Sequence, residues 1–187
     1  MGRLIGIAGA QSTGKTTLAR ATTIELEQQG HSVYLVREEA MRFFALHPPD
    51  KEPIGILPVQ QHFLNQQYVD ERTGLVSHVD FVITDSPTFL SAVYLQRQSE
   101  TLSPTEKELM IDLVANCGRL AQAYEKVFVI PHDAIPMVER PGRIHAIEER
   151  DQIHRFIVTF VEGYGIPHTI LGMDPKNWVK EIVEALF

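Results

Sequence analysis

Apolar residues in this chain fall into two alternating patterns. Short β-branched runs proceed without polar interruption, and longer stretches repeat apolar positions every three or four residues. The short runs, Leu4–Ala8, Val33–Val36, Val79–Thr84, Val127–Ile130 and Thr169–Leu171, predict strands buried on both faces. The longer stretches predict helices over Lys15–Gln29, Glu39–Leu46, Val59–Gly74, Thr88–Gln98, Pro104–Glu125, Glu148–Tyr164 and Pro175–Leu186. Ser103-Pro104 with Glu106, and Asp174-Pro175, carry helix-start chemistry: a capping oxygen followed by proline at the first helical position. Strands that alternate with helices imply βαβ crossovers around a parallel sheet. The expectation is a three-layer α/β domain, a five-stranded parallel sheet with helices on both faces.

Two segments break the alternation. His47–Pro58 holds four prolines and Gly55, and is expected to be a loop that cannot be helical. Pro131–Gly142 holds Pro131, Pro136, Pro141 and Gly142, and reads either as a small lid reaching over about 131–150 or as a plain surface loop.

Composition narrows the class. At 187 residues, 44% hydrophobic and 22% charged, the chain fits a single globular domain spanning 1–187. Seventeen basic against 24 acidic residues give a net charge of −7, which disfavours a broad surface for long nucleic acid. A lone cysteine, Cys117, excludes an internal disulfide and a Cys-based zinc cage, and sits in an apolar helical stretch as a core residue. The eight histidines show no metal-ligand spacing. With no secretory signal and no apolar run of membrane-spanning length, the expectation is a soluble, cytoplasmic chain with no membrane partner.

The chemistry begins at Gly9-Ala10-Gln11-Ser12-Thr13-Gly14-Lys15-Thr16, a full match to G-x4-G-K-[ST] between the first strand and the first helix. Glycines at both ends let successive N–H groups turn inward toward phosphate oxygens, and the helix start adds positive partial charge. Gly9, Gln11, Ser12, Thr13, Gly14, Lys15, Thr16 and Thr17 are therefore expected to cradle a nucleoside triphosphate, taken as ATP. Lys15 would reach the β- and γ-phosphates and the Thr16 hydroxyl would ligate Mg²⁺. This specifies a P-loop NTPase fold. Asp85, at the carboxyl end of the third strand, is the candidate second Mg²⁺ ligand and competes with Glu39 as proton acceptor, or else is the cap of the helix starting near Pro87. Glu39 and Arg42 share a helix face. They suit a general base and an acceptor-steadying cation, or simply a solvated helix start. Phe43 and Phe44 offer rings to an acceptor, although at least one of the two is expected in the core. Gln61, with Gln60, Asn65 and Gln66, offers amide edges or a polar helix face. Arg140 and Arg143, with Arg150 behind them, supply lid cations for the moving phosphoryl group, unless they pair with nearby glutamates on the surface.

Together these segments resemble the ribosylnicotinamide-kinase domain of bifunctional nicotinamide-nucleotide adenylyltransferases and its P-loop relatives. The resemblance runs through the phosphate loop, Glu39 to Phe43, Gln60 to Asp70, Phe81 to Thr88 and Pro131 to Tyr164. It implies transfer of the ATP γ-phosphoryl to a hydroxyl of a nucleoside-like acceptor. Where such domains carry Asp-x-Asp, Ile83-Thr84-Asp85 keeps the second acid only. Where their lid reads Trp-x-Asp-Asp-Gly-x-Arg, Met137–Arg143 lacks the Trp and both Asp residues. No adenylyltransferase module precedes the phosphate loop, so a free-standing kinase is expected rather than a dual enzyme. Free-standing relatives in phage genomes add an alternative acceptor, a hydroxymethylated pyrimidine within DNA. A third reading is an NTPase switch or assembly factor with no small-molecule acceptor. The oligomeric state is left open.

Overall fold

The computed structural model describes residues 2–47, 55–136 and 147–187. Five strands, β1 (Arg3–Ala8), β2 (Val33–Val36), β3 (Phe81–Asp85), β4 (Lys126–Val129) and β5 (His168–Ile170), form one sheet in the order β2-β3-β1-β4-β5. All four pairings are parallel. The helices are α1 (Lys15–Gln28), α2 (Glu39–Leu46), α3 (Ile56–Val76), α4 (Leu90–Arg97), α5 (Pro104–Ala121), α6 (Ile147–Gly163) and α7 (Trp178–Leu186), with a 3₁₀ turn at Ser99–Thr101.

Alternate strand residues feed two cores. Ile5, Ile7, Phe81, Ile83 and Phe128 pack against Leu18 and Leu26 of α1 and Trp178 and Ile182 of α7. Leu4, Val82, Val127 and Val129 face a larger cluster that takes in Leu64 of α3, Val93 of α4, Cys117 of α5 and Ile157 of α6. The expected three-layer architecture is thus present, because every central strand has apolar residues on both faces. No helix among the described residues is long and apolar enough to cross a membrane.

Several boundaries move for local reasons. β3 begins at Phe81 rather than Val79, because Asp80 is held in a turn, its carboxylate accepting from the Ser32 N–H and hydroxyl at 2.8 Å each. α3 begins at Ile56, so Pro58 is helical after all. It occupies the first turn, where a backbone N–H has no intrahelical partner. α5 carries the expected capping box between Ser103 and Glu106 but stops at Ala121. Beyond it, Tyr124 turns inward and its Oη accepts from the Thr88 N–H at 2.9 Å. Asp174-Pro175 opens a turn rather than α7, with Asp174 accepting from the Lys176 N–H at 3.1 Å.

Candidate active site

Parallel register brings the carboxyl ends of β1, β2 and β3 to one edge, with Ile7 opposite Asp85 and Val36 opposite Thr84. Ligands of open α/β sheets bind at that edge. The chain leaves β1 through Gly9, where a Cβ would come within 2.7 Å of the Thr13 hydroxyl and 3.2 Å of Ile130. Only glycine fits there. Ser12 (φ 59°) and Gly14 (φ 89°) adopt left-handed backbone, closing the loop onto the start of α1. Two donors converge on one carbonyl inside this loop, Thr13 Oγ1 at 2.8 Å and Lys15 Nζ at 3.0 Å from the Ala10 oxygen. Lys15 is buried, so the ammonium lies within the loop and not in solvent.

Asp85 ends β3 beside this loop. One carboxylate oxygen, Oδ1, is buried with no hydrogen-bond partner. Burial is the main force pushing the Asp85 carboxyl above its usual range. The Thr16 hydroxyl opposes it, the Glu38 charge adds to it, and Lys15 and Arg20 counter it. An under-satisfied carboxylate next to a hydroxyl is a hard-oxygen pair that would suit Mg²⁺. The next residue, Ser86, sits at φ 69°, and its hydroxyl is also buried and unpartnered. Such backbone costs on the order of 1–3 kcal/mol and persists only where the surroundings enforce it.

The enforcing groups come from α3. Gln67 Nε2 donates to the Asp85 carbonyl oxygen at 3.4 Å. Glu71 accepts from Thr84 Oγ1 at 3.1 Å and from the hydroxyl of Tyr124, which also meets Thr88. Burial raises the Glu71 carboxyl to about 7 against the opposing pull of its donors, Tyr124 first, and raises the Tyr124 phenol well above its ordinary value. The turn after β3 is therefore clamped from both sides.

On the far side of Asp85 lies a cleft of about 170 Å³ lined by Thr16, Arg20, Leu35, Arg37, Glu38 and Arg42. Glu39 and Arg42 do share a face, with Arg42 Nη1 3.4 Å from Glu39 Oε2. Glu39 is buried and is not part of the cleft lining; its other oxygen is 3.4 Å from His62 Nε2, and Oε2 has no hydrogen bond.

A family model for an AAA domain, AAA_28, matches residues 4–178. The chain belongs to this AAA domain family. No curated protein matches its sequence. The AAA domain is similar in structure to the NadR protein in complex with NR, with a TM-score of 0.76, 18% identity, 99% of this chain and 50% of that one covered. It thus spans half the length of NadR. Deoxyadenosine kinase from M. mycoides with bound dATP is similar over 98% of each chain, with a TM-score of 0.63 and 16% identity. Thymidylate kinase from Ehrlichia chaffeensis is similar over 100% of this chain and 99% of that one, with a TM-score of 0.64 and 13% identity. The fold is that of P-loop kinases.

Within this AAA domain the residues expected from the sequence fall in different surroundings. Gly9, Gln11, Ser12, Thr13, Gly14, Lys15 and Thr16 form the loop and helix start as expected, Gln11 with a buried, unpartnered Oε1, while Thr17 is exposed. Asp85 does not cap a helix: α4 starts after Phe89, without a side-chain cap. Neither Phe43 nor Phe44 is a core residue. Phe43 is half-buried and Phe44 exposed, in an aromatic cluster with His47, His62 and Phe63. Gln61 is exposed on α3, whereas Gln60 is buried. Arg140 and Arg143 lie outside the described residues. Arg150 is only 3% exposed and reaches the phosphate loop itself, donating to the Ser12 carbonyl.

Gln67, Glu71, Tyr124 and Glu38 were missed. Each is an ordinary residue of a helix or turn in the sequence, and only packing against the end of β3 gives it a role. For Glu71 a faint signal existed: an acid on the apolar side of a helix.

Proposed function

We propose that this AAA domain is a phosphotransferase that moves the γ-phosphoryl group of ATP to a hydroxyl of a nucleoside- or nucleotide-like acceptor. The observation that carries the reading is the shared cleft. Thr16 and Asp85, at the donor loop, form one wall, and Arg37, Glu38 and Arg42 form the other. A donor cradle opening directly onto a second walled cleft suits transfer between two bound molecules, where proximity supplies much of the rate. The nucleoside and nucleotide kinases among its structural relatives favour that acceptor class.

In this reading Lys15 exchanges the Ala10 carbonyl for β- and γ-phosphate oxygens, and the loop N–H groups hold the remainder. Thr16 and Asp85 would hold Mg²⁺, which when bound neutralises phosphate charge. The acceptor oxygen bonds to the γ-phosphorus as the bond to the β–γ bridging oxygen breaks, and ADP leaves with that electron pair. The hydroxyl proton passes directly to Glu39, whose Oε2 makes no hydrogen bond and lies 3.4 Å from Nη1 of Arg42, a residue of the cleft lining. Arg140 and Arg143, with Arg150, supply cations over the phosphoryl group in flight. Phe43 meets the acceptor ring and Gln61 its polar edge.

The test is a label-transfer screen with γ-labelled ATP over nucleosides, mononucleotides, ribosylnicotinamide and DNA containing hydroxymethylated pyrimidines. Acceptor-dependent transfer is expected. Full-rate ADP release without any acceptor overturns the reading in favour of an NTPase switch, and label on DNA alone moves the hydroxyl into a polymer.

A further inference from the structure

Most arginines among the described residues are answered by a neighbour. Arg3 pairs with Glu125, Arg42 with Glu39, Arg97 with Glu149 and Arg155 with Asp151. Arg119 donates to Asn116, and Arg150 to two carbonyls. Arg20, Arg37 and Arg72 have no ion pair or hydrogen bond among the described residues. Two of these, Arg20 and Arg37, line one cleft, with Arg42 beside them.

That convergence is unexpected in a chain with 24 acidic and 17 basic residues. Three guanidinium groups share that lining with two carboxylates, Glu38 and Asp85, and Arg42 is already paired with Glu39, so Arg20 and Arg37 are the cations left open to an anion supplied from outside. The cleft's own acids answer only part of the charge: Arg20 and Lys15 both favour the charged form of Asp85, yet among the described residues neither Asp85 nor Glu38 forms an ion pair with Arg20 or Arg37. The position belongs to the acceptor and not the donor. Arg20 lies four residues beyond Thr16, about 6 Å further along α1. Arg37 follows β2, two strands from the strand that leads into the phosphate loop.

Building on the kinase reading, we infer that the acceptor carries a phosphate of its own, separate from the hydroxyl it offers, and that Arg20 and Arg37 grip it. Two guanidinium forks match a phosphate, whose several oxygens accept paired hydrogen bonds. The acidic exterior opposes a polyanion, so the substrate is a free mononucleotide.

Matched nucleosides, their 5′-monophosphates and oligonucleotides of the same base test this, by label transfer from ATP and by calorimetric binding. The mononucleotide is expected to exceed the nucleoside at least tenfold in kcat/KM and in affinity. Arg37→Gln and Arg20→Gln should each shrink that ratio about tenfold or more, while Arg72→Gln, outside the cleft, leaves it unchanged. Equal use of nucleoside and mononucleotide overturns the inference while the kinase reading stands, as does a ratio insensitive to either variant. Preference for the oligonucleotide, or a new phosphate joined to the first as an anhydride, overturns it as well. If no acceptor is labelled, the kinase reading fails, and the binding ratio still decides whether the cleft grips phosphate.

Discussion

The guanidinium of Arg150, in the first turn of α6, donates to the Ser12 carbonyl oxygen at 3.4 Å and to the Ile135 carbonyl oxygen at 3.1 Å. One side chain thus joins the donor loop, the segment after β4 and the helix that follows it. Its Nε is buried without a partner, and burial lowers the pKa of the group. A charge so incompletely satisfied is suited to an incoming phosphate. Arg150→Ala is expected to raise the KM for ATP about tenfold, and Arg150→Lys to recover little, since an ammonium lacks the planar fork. Steady-state kinetics with each substrate varied checks this. An equal rise in the acceptor KM would instead make Arg150 a structural tie.

Lys15 and Thr13 share the Ala10 carbonyl, so removing the lysine leaves that oxygen with one of its two side-chain donors. Lys15→Ala should therefore fold, with a melting temperature within a few degrees of the parent, yet lose transfer by a factor of about 100 or more. Thermal melts beside label transfer separate the two. Substantial remaining turnover would remove Lys15 from the phosphate site.

Adjacent carboxylates at the β2–α2 corner face different surroundings: Glu38 lines the cleft, and Glu39 is buried against Arg42 and His62. Glu39→Gln is expected to lower kcat by about 100-fold with ATP affinity intact, the usual range for losing a general base. Glu38→Gln should cost less than about tenfold in kcat. The opposite ranking in a rate assay would transfer the proton to Glu38.

Glu71 links acidity to stability. Its folded pKa, about 7, lies above the ordinary value of 4.5 that it regains on unfolding. The folded state therefore holds the proton more tightly, and this contribution is complete below pH 4.5 and lost as pH rises through 7. A shift of this size is worth roughly 3 kcal/mol. Glu71→Gln lacks the titration, so the stability of the parent relative to the variant should fall by about that amount between pH 4.5 and 8. Urea unfolding at several pH values measures the difference. A constant gap would mean that Glu71 titrates alike in both states.

The phosphate loop and the strand ahead of it were legible in the sequence because their chemistry is local. Glycines where only glycine fits, the lysine and the threonine follow one another along the chain, and a buried apolar run needs no partner to be recognised. The Ser103–Glu106 cap was readable for the same reason. Helix ends set by distant contacts were not: α5 stops early because Tyr124 turns toward Thr88, and α3 admits Pro58 because its first turn asks for no N–H. The Glu39–Arg42 pair was visible as a three-residue spacing, but the burial of Glu39 beside an exposed Arg42 was not.

By itself, then, the order of residues determined a parallel α/β sheet, a donor loop and an acid at the end of β3, since each is written in neighbouring positions. Tertiary structure decided what surrounds that acid. Placing β2 next to β3, and β3 next to β1, gathered Arg20, Arg37, Arg42 and Glu38 around Thr16 and Asp85, and set Gln67 and Glu71 beneath them. Those groups come from separate elements, and hydrophobic periodicity records which face of an element is buried, not which neighbour covers it.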